Sequence, residues 1–244
     1  MSNTETNSVQ AAEIRPENRN AQLRRDFLRG VTVVGGAAVS AAVLSSQTTT
    51  PPTPSPANDL AILNYALTLE LLEATFYTQG LSRFTSAEFA SAPFAAALRT
   101  ASGVSATPPP SGATDTSLVQ DVYAYLSIIR NHEQQHVRTL QTTIRSLGGT
   151  PVTAPTFTFP YNNVDEFIVL AATLENTGVA AYNGAISMIS NPALITASAT
   201  IATVEARHAS YLNRLRGMTP FPDAFDAGRP MSEILPIVSQ FIVA

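Results

Sequence analysis

The chain has 244 residues, enough for one domain of ordinary size plus a further segment, and its net charge of −4 gives no electrostatic basis for binding nucleic acid. Hydrophobic residues make up 45% of the chain and charged residues only 13%, below the ~25% of average soluble domains, so a charge within an apolar segment needs a specific role. The absence of cysteine excludes disulfides, thiolate metal sites and cysteine nucleophiles.

The N-terminal part of the chain resembles a twin-arginine export signal. Polar residues precede the segment RRDFLR, which begins at Arg24, and an uncharged Gly/Ala-rich run follows from Gly30 to about Leu44. Leu23 stands where such signals usually have Ser or Thr. A basic patch before a short core helix is the alternative interpretation. We expect residues 1–45 to engage the twin-arginine export machinery and to direct the protein to the periplasm or the cell exterior. An uncleaved signal would be its sole contact with a membrane.

After the signal, residues 46–58 are rich in Pro, Thr and Ser and predict a linker. The sequence from there to residue 217 predicts one all-α domain, because no segment alternates strongly enough to build a sheet. Its four long helical patterns have recognisable ends. They run from about 59 to Gly80, from about 116 to 147 before Gly148, from the caps Asn162 and Asn163 to about Ser190, and from the cap Asn191 to Gly217.

The connections between these helices differ in length. A short helix at about 86–100 and a Pro-rich loop separate the first two long helices. Residues 150–161 are extended, Pro-rich and aromatic, and we expect them to cross the length of a helical bundle. Residues 218–244 predict a tail whose apolar end, Ile234–Val243, packs on the bundle or makes a homodimer contact.

The long helices carry very few charges, and these form a pattern. The third helix has Glu175 as its one charge between Phe167 and Ile189, and the first has only Glu70 and Glu73 in its central part. The second and fourth helices each carry a Glu followed by a His three residues later, so the two side chains share a helix face. These pairs are Glu133 with His136, and Glu205 with His208.

Buried glutamates facing one another need positive charge. An isolated carboxylate in apolar surroundings costs several kcal/mol, and two divalent cations would balance four carboxylates. Mixed oxygen and nitrogen ligands suit iron, manganese or zinc. One helix can offer a carboxylate and an imidazole to the same ion, and we expect the two lone glutamates to bridge the two ions.

The order of these residues forms an internal repeat. Each half contains a lone Glu, a Tyr seven residues later, and then a Glu-x-x-His pair. Tyr77 follows Glu70 at this spacing, and Tyr182 follows Glu175. The repeat favours Glu70 over Glu73 as the ligand, because the residue seven positions after Glu73 is a glycine. Glu73 is kept as a neighbouring or alternative ligand, and the two tyrosines are candidate catalytic residues that either bond a ligand carboxylate or fill the core.

Two Glu-x-x-His pairs and two lone glutamates in this order resemble the ferritin-like di-iron and di-manganese carboxylate proteins. The segment AILNYALTLELLEATFY, together with the export signal, is similar to the secreted, desiccation-related ferritin-like family. The resemblance covers about residues 58–216. It implies an up-down four-helix bundle with a long crossover between the second and third helices. The long insertion at 81–115 argues against a storage cage.

The resemblance implies several functions for such a site. The first is an exported protein that binds two iron or manganese ions, with zinc as a further candidate, and reacts with O2 or peroxide in oxidative or desiccation stress. The second is peroxide disproportionation like that of manganese catalase, since one fold hosts both chemistries. The third is a metal-binding or protective protein without turnover, and the fourth a structural helical module.

Each part of the pattern also has a simpler explanation. The Glu133 and His136 pair fits a solvated helix face, Glu175 fits an ion pair with an arginine across the bundle, and Glu205 fits a salt bridge with Arg207 or Arg214. His132 is expected at the surface. Together these simpler explanations would require six residues to fall at matching positions of the repeat by chance, so the sequence favours the metal site.

Overall fold

The computed structural model describes residues 54–94 and 122–243. Within these ranges the chain is mostly helical, which confirms the predicted all-α class. No helix of the described ranges is long and apolar enough to span a membrane. The elements are α1 Pro56–Arg83, α2 Ser86–Ser91, α3 Val122–Ser146, β1 Thr156–Phe157, α4 Val164–Ile186, α5 Pro192–Leu215, α6 Met231–Ser239 and β2 Ile242–Val243.

Side-chain caps fix the start of three long helices. Asn163 accepts a hydrogen bond from the backbone of Glu166 at the start of α4, and Asn191 caps α5 with Pro192 at the first helical position, as predicted. The helix α1 begins three residues earlier than expected, because Ser55 is its cap and Pro56 its first residue. The export signal, the residues before 54, the Pro-rich loop and residues 116–121 of the second predicted helix lie outside the described residues.

The predicted end of the first helix at Gly80 is wrong. The helix α1 continues to Arg83, so Gly80 is an interior helical residue. A Cβ atom at Gly80 would overlap the ring of Phe167 on α4. The glycine therefore permits a close approach of α1 and α4, whereas Gly148 and Gly217 do follow helix ends with positive φ angles of 77° and 68°.

Hydrogen bonds at both ends of α1 define the topology. The backbone N–H of Val152, just after α3, donates to Asn64 near the start of α1 over 2.8 Å. Arg83 at the end of α1 donates to the carbonyl of Tyr161, just before α4, over 2.8 Å. Residues 150–161 therefore run the length of α1, so α3 and α4 are both antiparallel to it. This is the predicted up-down bundle with its long crossover.

The fourth helix returns beside the start of α1. Asp59 near that start accepts hydrogen bonds from the backbone N–H and the hydroxyl of Ser190 and from the N–H of Asn191. The helix α5 therefore begins at this end of the bundle and runs parallel to α1. Asp59 therefore fixes the turn between α4 and α5.

The crossover and the C-terminal segment pack on the bundle. The strand β1 within the crossover pairs antiparallel with β2, so the weakly alternating segment around it has a partner that the sequence did not reveal. Ile234 and Val238 of α6 are buried, and the N–H of Arg229 donates to the carbonyl of Ala180 on α4 over 2.8 Å.

Candidate metal centre

The six residues predicted as ligands meet in the middle of the bundle, one set from each long helix. The side chains of all four glutamates are fully buried, His208 is 5% exposed, and the side chain of His136 is 11% exposed. The helix α1 supplies Glu70, α3 supplies Glu133 and His136, α4 supplies Glu175, and α5 supplies Glu205 and His208.

These residues form two groups, each of which could hold a metal ion. In each group, one ligand atom per residue lies within 4.8 Å of the ligand atoms of the other members. Both groups contain three carboxylates and one imidazole, the mixed oxygen and nitrogen set that suits iron, manganese or zinc. One group is Glu70, Glu133, His136 and Glu205, and the other is Glu133, Glu175, Glu205 and His208.

The groups share Glu133 and Glu205, whereas the lone glutamates Glu70 and Glu175 each belong to one group. The bridging role that the sequence suggested for the lone glutamates stays a prediction. Tyr182 donates a hydrogen bond to Oε1 of Glu70 over 2.5 Å, and Tyr77 donates one to Oε1 of Glu175 over 2.6 Å. One oxygen of each lone glutamate is therefore engaged by a phenol, while Oε2 faces the histidine of its group.

The hydrogen bonds also show whether the two tyrosines bond a ligand carboxylate or only fill the core. Both tyrosines bond a predicted ligand carboxylate, and each reaches the lone Glu of the other half of the repeat. Burial raises the pKa of both phenols well above its usual range, with the neighbouring carboxylates adding to the effect. Both tyrosines are therefore neutral donors.

Two carboxylates at the centre have buried oxygens that accept no hydrogen bond, namely Oε1 of Glu133 and both oxygens of Glu205. Nδ1 of His208 lies 3.0 Å from Oε1 of Glu133, and Nδ1 of His136 lies 3.1 Å from Oε1 of Glu205, but neither contact has hydrogen-bond geometry. Nδ1 of His136 lies 3.1 Å from oxygens of Glu70, Glu133 and Glu205, and one proton on that nitrogen cannot satisfy all three acceptors. Buried oxygens of this kind are costly unless a cation approaches them, so the residues present fit a metal centre.

The pKa values of the metal-free site also favour a bound cation. Burial raises the pKa of Glu133 and Glu205, and the charges of neighbouring glutamates raise it further. Burial also raises the pKa of Glu175 to about 7. For His136, burial lowers the pKa, but the nearby carboxylates of Glu205 and Glu70 outweigh it and raise the pKa to about 10. The metal-free cluster therefore retains protons that bound cations would displace.

The simpler explanations of these residues do not hold within the described ranges. No ion pair there joins an arginine to a glutamate of the two groups, so neither Glu175 nor Glu205 is neutralised in that way. Glu133 is fully buried rather than on a solvated face.

Glu73 belongs to neither group, although it is 3% exposed and close by. A Cβ atom at Gly178 would lie 3.3 Å from Oε1 of Glu73 and 3.3 Å from Oε2 of Glu205. The two carboxylates therefore converge over Gly178, which occupies on α4 the repeat position that Glu73 occupies on α1. Burial raises the pKa of Glu73, and the charge of Glu205 adds to this. Glu73 is thus a neighbouring carboxylate of the centre.

Sequence reasoning missed His132, which was expected at the surface. It is half-buried, and its Nδ1 lies 3.0 Å from Nε2 of His208. The signal that could have found it is its spacing of four residues from His136, which places both imidazoles on one face of α3.

Comparisons with known proteins agree with this geometry. A family model described as a ferritin-like domain matches residues 58–218, which include all four long helices. The chain is 25% identical over 185 residues to protein rds1 of the fission yeast Schizosaccharomyces pombe. That alignment covers 76% of this chain and 39% of the yeast protein, so the chain spans about two fifths of that relative's length.

Proposed function

Because the chain belongs to the ferritin-like domain family, we propose that it is an exported protein that binds two iron or manganese ions and acts on O2 or peroxide in oxidative or desiccation stress. The observation that carries this proposal is the set of buried oxygens on Glu133 and Glu205 that accept no hydrogen bond, since these two residues are common to both ligand groups. Carboxylates placed between two groups suit a pair of ions rather than one.

The residues of the chain have distinct roles in this proposal. Glu133 and Glu205 would contact both ions, and each ion would also have one lone glutamate and one histidine. Bound iron or manganese would supply one-electron redox chemistry toward O2 or peroxide. The phenols of Tyr77 and Tyr182 are neutral donors that hold the lone glutamates in place, so each would act on a bound ion through one carboxylate.

Export remains part of the proposal and rests on the N-terminal sequence. The segment that begins at Arg24 resembles a twin-arginine signal, and that route carries folded proteins. A protein that must receive its metal inside the cell before it leaves would need such a route. The proposed site of action is therefore the periplasm or the cell exterior.

The experiment is metal analysis of the full chain purified from its native compartment, followed by reaction with O2 and with peroxide. We expect about two metal ions per chain and expect the bound metal to be iron. We also expect the protein to oxidise Fe(II) in a reaction that depends on O2 or peroxide. Two manganese ions with rapid O2 release from peroxide would indicate the catalase-like chemistry instead. Bound metal with neither reaction would indicate a binding protein without turnover and would contradict the redox part of the proposal.

A matched pair of variants controls this experiment. Glu205→Gln removes a carboxylate that both groups share and should reduce the bound metal to less than one ion per chain. Glu233→Gln changes an exposed glutamate of α6 that pairs with Arg229 and should leave the metal content unchanged. Equal metal content in both variants would refute the assigned centre.

A further inference from the structure

His208 uses both of its ring nitrogens. Nδ1 faces the centre, where it lies 3.0 Å from Oε1 of Glu133 and 3.2 Å from Oε2 of Glu175. Nε2 faces away from the centre and lies 3.0 Å from Nδ1 of His132. The planes of the two imidazole rings are nearly parallel, inclined by 16°, and the ring centroids are 5.3 Å apart, as expected for rings joined edge to edge through these nitrogens. His132 is half-buried and is not a member of either ligand group.

The other half of the centre has no equivalent contact. In the repeat, His132 comes directly before Glu133, and the residue directly before Glu205 is Val204. The valine side chain has no polar atom. Within the described ranges, the contacts of His136 with carboxylates are all made through Nδ1, to Glu70, Glu133 and Glu205. Each histidine of the centre therefore faces carboxylates through Nδ1, but only Nε2 of His208 has an imidazole partner in the described part of the chain.

This difference bears on how each histidine can bind an ion. A neutral imidazole carries one proton, and a nitrogen that binds a metal must present its lone pair. For Nδ1 of His208 to face an ion, the proton must lie on Nε2, and an acceptor beside Nε2 favours that tautomer. Nδ1 of His132 is such an acceptor at hydrogen-bond distance. A partner of this kind also fixes the ring orientation and increases the basicity of the ligand.

We propose that His132 is a positioning residue that makes the two metal positions unequal, so that the position formed with His208 binds its ion more tightly and fills first. This inference rests on the proposed metal centre and adds to it an order of loading. His132 acts through His208 and does not itself contact the ion.

The test is a titration of the metal-free full-length chain with Co(II), followed by calorimetry and by the visible spectrum of the bound cobalt. The wild-type protein should bind two ions in two resolvable steps. His132→Val, which copies the residue found in the other half, should weaken the tighter step about 10–100-fold and leave the weaker step within about twofold. His132→Asn, which keeps an acceptor near the position of Nδ1, should retain both steps and the wild-type spectrum.

The outcomes separate this inference from the proposed function. Two ions bound with unchanged affinities in His132→Val would overturn the inference while the metal centre stands, and so would equal weakening of both steps or an Asn variant as weak as the Val variant. A wild-type chain that binds less than one ion would refute the centre itself.

A second measurement does not depend on a folded variant. Nitrogen-15 NMR of the wild-type protein loaded with Zn(II) should show the neutral His208 ring protonated at Nε2, with that proton donated to Nδ1 of His132. Protonation at Nδ1 of that neutral ring would overturn the inference.

Discussion

At the scale of single residues, hydrogen bonds from Tyr77 and Tyr182 join the two halves of the repeat. Each phenol crosses from its own helix to the lone glutamate of the other half, and the hydrogen bonds measure 2.6 Å and 2.5 Å. By engaging Oε1 of Glu175 and of Glu70, they hold each lone glutamate with Oε2 toward the histidine of its own group. The orientation of each lone glutamate therefore depends on a tyrosine from the other half.

Removal of one phenol tests this role. In Tyr77→Phe, Oε1 of Glu175 is left buried without its donor, and an unsatisfied buried acceptor costs about 1–3 kcal/mol. We expect the free energy of unfolding of the metal-free protein, measured in urea, to fall by this amount. Tyr182→Phe should behave similarly through Glu70. Tyr125→Phe is the control, because Tyr125 is 40% exposed, and its effect should stay within about 0.5 kcal/mol. Losses no larger than that of Tyr125→Phe would contradict the role.

The residues that reach the centre were predictable because their signal is local. A Glu and a His three positions apart share a helix face wherever the helix lies, and a glutamate on an apolar helix must face a partner. How each lone glutamate is oriented was not predictable, since it depends on Tyr77 and Tyr182 reaching across the bundle. His132 was missed for the same reason, because its partner His208 lies on another helix.

At the scale of the element, the helix starts were more predictable than the ends. Asn163 and Asn191 cap their helices through contacts two or three residues away, and such contacts are written in the sequence. Gly80 was expected to end a helix, yet it lies inside α1. A glycine is needed there because the ring of Phe167, a residue far away in the chain, occupies the space that a Cβ atom would take. The pairing of β1 with β2 was likewise hidden, because the two strands lie far apart in the sequence.

At the scale of the whole molecule, the bundle surrounds more negative charge than it neutralises without cations. Burial and mutual repulsion raise the pKa values of Glu73, Glu133 and Glu205, which shows that the metal-free fold disfavours their charged forms. Bound cations would favour the charged forms of these carboxylates and would stabilise the fold by mass action.

The repulsion among the buried carboxylates predicts that Glu205→Gln stabilises the metal-free protein. Without metal, the variant should be more stable than the wild-type protein at pH 8, by about 1–3 kcal/mol, because one repelling carboxylate is gone. With saturating metal the order should reverse. The measurement is urea denaturation of both proteins with and without metal, and a metal-free variant less stable than the wild type would contradict the electrostatic account.

The pH dependence has a definite sign. A carboxyl group whose folded pKa is raised keeps its proton in the folded state after the unfolded chain has lost it, so stability falls as pH rises above the unfolded pKa of about 4.3. The loss of stability continues until the pH exceeds the pKa of the group in the folded state. The advantage of metal-free Glu205→Gln over the wild type should therefore be small near pH 4 and grow toward pH 8. An advantage that shrinks over this range would contradict the account.

The central claim is that two ions lie between Glu133 and Glu205, and anomalous diffraction from crystals of the metal-loaded protein tests it most directly. The account predicts two anomalous peaks, both next to these two carboxylates, one beside Glu70 and His136 and the other beside Glu175 and His208. A single peak, or peaks away from Glu133 and Glu205, would contradict it.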